Sequence, residues 1–306
     1  MPHRYRAYLC LAAAMATVGS TVVASKIIGV SLAPFTATAL RFAIALPVFV
    51  LLMLATRKRW PRPDLHDCLL LIAQAVAGSV GYTVLLIAGT RLAAASDAGV
   101  LLGTLPAVAA LVSMALLRER LALKMLIAIA LATSGVIVVA SAHPEQGNAS
   151  SLLGNALVLG AVFCESIFIL LNKRLHVPLP PLTLSCLMAG LGLVVAIPFA
   201  AWELRHGASA PQASALISVV YYALIPTVLG FWLWYAGAAQ VSGAEASLFT
   251  AVAPVSGVVL SAALLGESIS HVLATGLGLV VGSVILTALP ARKRSGASNC
   301  AKRKPE

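Results

Sequence analysis

Charge is what this chain has least of. Asp, Glu, Lys and Arg together make up 10% of its 306 residues, against 60% for the hydrophobic set. Soluble globular domains carry about 25% charged residues. So small a complement excludes a water-soluble particle of this size, because it cannot solvate the surface. Acids are the scarcer sign, 10 against 21 basic residues, for a net charge of +11. On a soluble protein that excess would suggest nucleic acid; here the placement of the basic residues argues against such a partner. The cysteines are Cys10, Cys68, Cys164, Cys186 and Cys300, an odd number with no CxxC pair. That excludes a disulfide framework and a cysteine metal site, and they read as small packing residues. Catalytic signatures are missing too. The chain has no P-loop, no HExxH and no GxSxG, so neither ATP hydrolysis nor another enzyme activity is expected, and no cofactor or metal. His3, His66, His143, His176, His206 and His271 are scattered among predicted loops and helix ends.

What the chain does have is apolar runs of the length that crosses a bilayer, about 20 residues for a hydrocarbon core of about 30 Å. Ten candidate spans emerge between charged or Pro/Gly breaks: 6–27, 34–56, 66–89, 94–117, 122–141, 151–172, 180–202, 213–239, 244–265 and 269–289. The basic N-terminus before an apolar run resembles a signal peptide, but another span follows it, so the first run reads as a retained helix. The connections are too short to hold a soluble domain.

Basic residues sort by side. Seventeen of them fall on the N-terminal side of the layout, in the even-numbered connections and the tail; only Lys26, Arg91 and Arg205 fall opposite, and Arg41 lies within a span. Basic loops remain in the cytoplasm. The chain is therefore expected as a multi-pass protein of the plasma membrane (the bacterial inner membrane), both termini cytoplasmic, with the lipid bilayer as its first partner.

The strongest signal is internal. ASDAGVLLGTLPAVAALVSMALLRERL from Ala95 parallels GAEASLFTAVAPVSGVVLSAALLGESI from Gly243. Asp97 pairs with Glu245, Pro106 with Pro254 and Glu119 with Glu267, each 148 positions apart; Lys26 with Lys173, Pro34 with Pro181 and Thr36 with Thr183 are 147 apart. Residues 1–145 and 146–290 are thus two repeats, followed by a basic tail, 291–306. Each repeat has five spans, an odd number, so the second must lie upside down relative to the first. The expected fold class is an all-α membrane protein with ten transmembrane helices as two inverted five-helix repeats, a plan that recurs in transporters.

VASK closing the first span, PFTATALRF opening the second, a proline in the fourth and ninth, and LLRERL and LLGESI after them make the chain similar to the EamA family of the drug/metabolite transporter superfamily. The resemblance covers nearly the whole chain except the tail. It implies a solute carrier, often an exporter of amino acids or other metabolites. The chain departs from the family at Val18–Thr21, VGST, where relatives usually carry a Trp-Gly pair.

Several residues are candidates for the mechanism. Glu165 lies deep in the sixth span, where an ionised carboxylate costs about 2.5–3.5 kcal/mol. It reads as a partner for a substrate ammonium or a proton carrier, or else as a hydrogen-bonded packing residue; family members often have an acid at a similar place after a cysteine. Arg41 stays charged and needs partners, either a solute anion or a structural pairing with Asp97. Asp97 and Glu245 begin the fourth and ninth spans, where acids suit the helix N-terminus. Glu119 and Glu267 close them and are expected to pair structurally. Gln74, Tyr82, Asn172, Tyr222, Trp232, Trp234 and Tyr235 are polar or aromatic residues within spans and complete the candidate lining; the eighth-span aromatics equally suit an interface belt. Lys26 either meets a substrate carboxylate or snorkels to the interface. Pro106 and Pro254 are expected as matched hinges at helix kinks. Gly99–Gly103 and Gly278–Gly282 are GxxxG pairs, the second a candidate homodimer seam or an internal packing site.

These readings converge on a secondary transporter of a small polar metabolite, most simply an amino acid or related compound, working by alternating access, with export and proton coupling as the matching expectations. A nucleotide-sugar or drug carrier on the same scaffold, a passive channel, and a non-transporting membrane-docking subunit are the alternatives.

Overall fold

The structure, a computed structural model, describes residues 2–57, 63–117, 123–140, 149–172, 174–176, 179–206, 210–241, 246 and 249–288. Among them there is no strand. In chain order the helices are α1 (Pro2–Gly29), α2 (Pro34–Ala55), α3 (Leu65–Gln74), α4 (Tyr82–Leu92), α5 (Ala95–Leu102), α6 (Leu105–Leu117), α7 (Leu123–Ala140), α8 (Ala149–Asn172), α9 (Pro181–Arg205), α10 (Ala213–Tyr222), α11 (Gly230–Ala238), α12 (Val252–Leu265) and α13 (His271–Ala288). Two π-helical segments, Ala75–Gly81 and Ala223–Leu229, join α3 to α4 and α10 to α11 without a break.

Seven helical stretches are long and apolar enough to cross a bilayer, and the bent pair Ala95–Leu102 and Leu105–Ala115 makes an eighth. Among the described residues, ten full-length spans are not found. The helices at the fifth and ninth expected positions, Leu123–Val139 and Phe249–Leu265, are apolar but shorter. The ends follow local chemistry. Pro34 and Pro181 open α2 and α9 after extended residues, where a missing N–H costs nothing. Asp64 caps α3 by accepting a bond from Asp67 N–H at 2.8 Å. Gly266, at φ 69°, stops α12 in a left-handed turn.

The expected proline hinges sit differently from a kink inside a helix. Pro106 is the second residue of α6, and the 51° bend falls just before it. Pro254 is the third residue of α12, directly after a 3₁₀ turn at Phe249–Ala251. Both occupy a first turn, which tolerates proline because its N–H groups have no intrahelical partner. The other departures from α geometry are the two π segments, one of them containing Pro226; their starts are 148 positions apart.

Packing follows the repeat. Equivalent helices of the two halves pair antiparallel. In α2–α9, Phe35 stacks on Phe199 at 4.8 Å near one end, while Thr183 Oγ1 reaches Met53 Sδ at 3.6 Å near the other. In α7–α13, Lys124 Nζ donates to the Thr287 carbonyl at 3.0 Å, Ser283 to the Ala128 carbonyl at 2.8 Å, and Gly135 lies against Gly276. In α5–α12, Gly99 lies against Gly257 and Gly103 against Pro254. Exchanging the halves also maps the α4–α8 contact onto α11–α1, and α6–α8 onto α12–α1.

Two glutamates fasten the halves together. Glu203, ending α9, accepts from the N–H groups of Phe35 (3.2 Å) and Thr36 (2.7 Å) and from the Thr36 hydroxyl (2.8 Å). Glu267, after α12, accepts from Ala95 N–H (2.9 Å) and Ser96 N–H (2.7 Å). The orphan donors of α2 and α5 are thus capped by carboxylates from the opposite half. Asp97 lies in the first turn of α5, as expected of an acid at a helix start, and is fully buried near Lys26, whose Nζ donates to the Ala93 carbonyl at 2.7 Å and feels both Glu267 and Asp97. Glu119, Glu245, the basic residues Lys58, Arg59, Arg62, Arg118, Arg120 and Lys173, and the tail lie outside the described residues.

Candidate solute site between the halves

The centre is organised by Arg41, the eighth residue of α2. Its Nε donates to Thr227 Oγ1 at 3.0 Å and its Nη1 to Thr83 Oγ1 at 2.5 Å. Its Cζ stands 4.3 Å from the centroid of the Tyr222 ring and 5.0 Å from that of Phe42, within cation–π range. The π segments aim the two threonines. Thr227 donates to the Tyr222 carbonyl five residues back, at 2.8 Å, and Thr83 to the Ser79 carbonyl, at 2.8 Å. Each hydroxyl spends its proton on its own backbone and turns its lone pairs to the guanidinium. One threonine comes from each half.

Glu165, half-buried on α8, lies within electrostatic range of Arg41. No direct ion pair joins them, and among the described residues the carboxylate accepts no hydrogen bond. Tyr82 and Tyr222 stand in the field of both charged groups, with the Thr21 and Ser25 side chains of α1 beside the Tyr222 phenol. The Tyr222 hydroxyl and Ser25 Oγ are buried with no well-formed hydrogen bond. An unsatisfied buried polar atom costs about 1–3 kcal/mol. Such atoms between apolar helices are groups that a water or a polar ligand would satisfy. A guanidinium and a carboxylate within electrostatic range of one another but not ion-paired can each take the opposite charge of a solute.

A second polar spot lies farther along α8, where it packs against α3. Gln74 is fully buried, and neither atom of its amide has a hydrogen-bond partner. Gly81 packs against Cys164 and Gly78 against Phe168, and that antiparallel register brings Asn172 opposite Gln74.

The structure thus gathers Arg41, Tyr82 and Glu165, with Tyr222, and keeps Gln74 and Asn172 on the adjoining seam. Arg41 is not paired with Asp97; the cation beside Asp97 is Lys26, in its own neighbourhood at the α4–α5 turn. Trp232 is 66% exposed and points outward, as a membrane-facing aromatic does. Trp234 and Tyr235 are half-buried on α11, Tyr235 stacked on Phe231 at 6.1 Å, and neither is among the groups around Arg41. Gly99 and Gly103 form the α5–α12 seam, whereas Gly278 and Gly282 have nothing within 4 Å, which rules out internal packing for the second pair. Sequence reading assigned no role to Thr83, Thr227, Ser25 or Glu203. Hydroxyls in apolar helices carry no pattern of their own; the Gly-Tyr pair before Thr83 was the nearest signal.

The model of the EamA-like transporter family matches residues 5–141 and again residues 152–289. The chain belongs to the EamA-like transporter family. The doubled match follows the doubled helix pairing, and membership makes the chain a multi-pass membrane transporter. Among EamA relatives, Uncharacterized transporter YetK of Bacillus subtilis is 35% identical, over 92% of this chain and 87% of that protein. A protein of Streptantibioticus cattleyicolor described as a probable terminal-alkyne amino-acid exporter is 26% identical over 74% of each chain. One solved crystal structure shares the EamA chain's fold with a TM-score of 0.63 at 22% identity, over 92% of this chain and 96% of the other.

Proposed function

We propose that the protein is a secondary carrier that moves a small zwitterionic metabolite, an amino acid or a close derivative, out of the cell by alternating access. The observation that carries this reading is that Arg41 and Glu165 lie within electrostatic range of each other, not ion-paired, in a polar centre built by both halves. A free amino acid carries a carboxylate and an ammonium on one carbon. Arg41 offers its remaining guanidinium donors to the carboxylate. Glu165 faces the ammonium, or takes a proton when the site is empty, which would couple transport to proton movement. Tyr82 and Tyr222 flank the bound solute, with Gln74 and Asn172 lining its path along the α3–α8 seam. The relative described as an amino-acid exporter adds weight to this substrate class and to export.

The arrangement proposed in the membrane is ten spans as two inverted five-helix repeats, in the cytoplasmic membrane with both termini inside. The shorter helices α7 and α12 complete the ten. The break before Pro106 and the 3₁₀ turn before Pro254, together with the π segments, let each half bend against the other. Counterflow in proteoliposomes loaded with unlabelled amino acids tests the proposal. Saturable uptake of labelled amino acid, lost in Arg41→Ala, is expected; an amino-acid panel without counterflow would remove the substrate class.

A further inference from the structure

Away from the Arg41 centre, a cluster of ligating side chains gathers where α3 begins. Asp64, His66 and Asp67 come from the start of α3, in the first half. His176 comes from the turn between α8 and α9, in the second. The four place one potential ligand atom each within 4.8 Å of one another. His176 Nδ1 lies 3.0 Å from Asp64 Oδ2 and 3.7 Å from Asp67 Oδ1, and His66 Nδ1 lies 3.3 Å from Asp67 Oδ1. The two imidazole rings stack at 4.2 Å with 16° between their planes.

We propose that Asp64, His66, Asp67 and His176 form a binding site for a borderline divalent transition-metal ion, Zn²⁺ being the representative case. Zinc binds imidazole nitrogen and carboxylate oxygen at about 2.0–2.2 Å, and a tetrahedron of that radius has edges of about 3.4 Å. The three separations of 3.0, 3.3 and 3.7 Å bracket that edge. The widest pair, at 4.8 Å, must close by about 1.4 Å. One ring must also turn, because parallel imidazoles aim their lone pairs the same way. Asp64, His66 and His176 are exposed, which leaves their side chains room to turn on the surface. Each Nδ1 already faces a carboxylate oxygen, which is the space a divalent ion occupies between such groups.

The outer contacts support the ligands. Asp67 N–H holds Asp64 at 2.8 Å, and His176 N–H holds Asp67 at 3.1 Å, the type of hydrogen bond that orients ligating carboxylates. Asp64 is an exposed carboxylate, which carries its charge at neutral pH. Two carboxylates and two neutral imidazoles balance one divalent ion. The nitrogen pair favours zinc, nickel, cobalt or copper over the oxygen-seeking magnesium and calcium. Because His176 comes from one half and its three partners from the other, the ion would tie the α8–α9 turn to the start of α3.

The test uses the full-length protein in detergent with its affinity tag removed, titrated with ZnCl₂ by calorimetry and by thermal melting. One ion per chain, a saturable isotherm and a raised melting temperature are expected. His66→Ala and His176→Ala are each expected to weaken binding at least tenfold, with His176→Gln repeating the result if the alanine variant disturbs the turn. MgCl₂ at the same concentration is expected to leave the melting temperature unchanged. Absence of one-to-one binding, undiminished affinity in the histidine variants, or an equal response to magnesium would each overturn the assignment.

Discussion

Arg41 and Glu165 lie within electrostatic range of each other without pairing: the guanidinium is held by Thr83, Thr227 and the face of Tyr222, and the carboxylate is left without a hydrogen bond among the described residues. Had they closed on one another, both charges would be spent on structure. Held apart, they are available to a ligand, and this separation underlies the first two predictions.

Replacing Glu165 with Gln keeps the shape and removes both the charge and the titration. Counterflow by the Glu165→Gln variant is expected to fall at least tenfold, about 1.4 kcal/mol in apparent binding, and whatever pH dependence the native protein shows should flatten. An unchanged rate and pH profile in proteoliposomes would take Glu165 out of the mechanism.

Arg41→Lys retains the charge but loses the planar fork that reaches both threonines while lying on Tyr222. The expected result is a rise in apparent KM for amino acid of about tenfold with folding preserved. Thr227→Val, which removes one of the two hydroxyls holding the guanidinium, should give a smaller rise. Equal kinetics for lysine and arginine would show that position 41 needs only a positive charge.

Glu203 caps α2 from the other half through three hydrogen bonds. Bonds to charged groups contribute about 1.5–3 kcal/mol each, and Glu203→Gln keeps one acceptor oxygen. Thermal melting in detergent is expected to show a loss of about 1–3 kcal/mol, seen as a lower midpoint, with substrate specificity unaltered. A midpoint equal to the native one would mean that water replaces the cap.

Two glycines in similar sequence contexts are expected to respond in opposite ways. A Cβ at Gly99 would lie 3.0 Å from Val258 N and 3.1 Å from the Gly257 carbonyl carbon, backbone atoms that cannot yield, whereas Gly278 has nothing within 4 Å. Gly99→Val should therefore lower the yield of monodisperse protein and its stability by about 1–3 kcal/mol, while Gly278→Val behaves as native in size-exclusion chromatography. The reverse order would contradict the α5–α12 seam.

The proposed topology is open to labelling in whole cells. After removal of the native cysteines, Arg62→Cys and Gln146→Cys are expected to react with a membrane-impermeant thiol reagent from opposite faces of the membrane. Labelling of both from one face would undo the inverted arrangement.

Much of the fold was legible in the chain itself. Low charge and span-length apolar runs required helices in lipid, because only hydrogen-bonded helices or closed barrels satisfy the backbone there. The offset of 147–148 between Lys26, Pro34, Asp97 and Pro106 and their counterparts pointed to two equivalent halves. The odd number of expected spans in each half led to the antiparallel pairing that α2–α9, α7–α13 and α5–α12 display. Glu165 and Arg41 stood out because an ionisable group inside a span is costly.

Only the tertiary structure decided which charges meet. Lys26, not Arg41, lies beside Asp97; Glu267 and Glu203 bind backbone N–H groups across the repeat interface; and Thr83 and Thr227 converge on one guanidinium from opposite halves. A span pattern records which residues tolerate lipid, but it contains neither the rotation of a helix about its axis nor the local widening of a π segment. Those two quantities determine which side chains meet at the centre, and they arise from close packing between helices far apart in the chain.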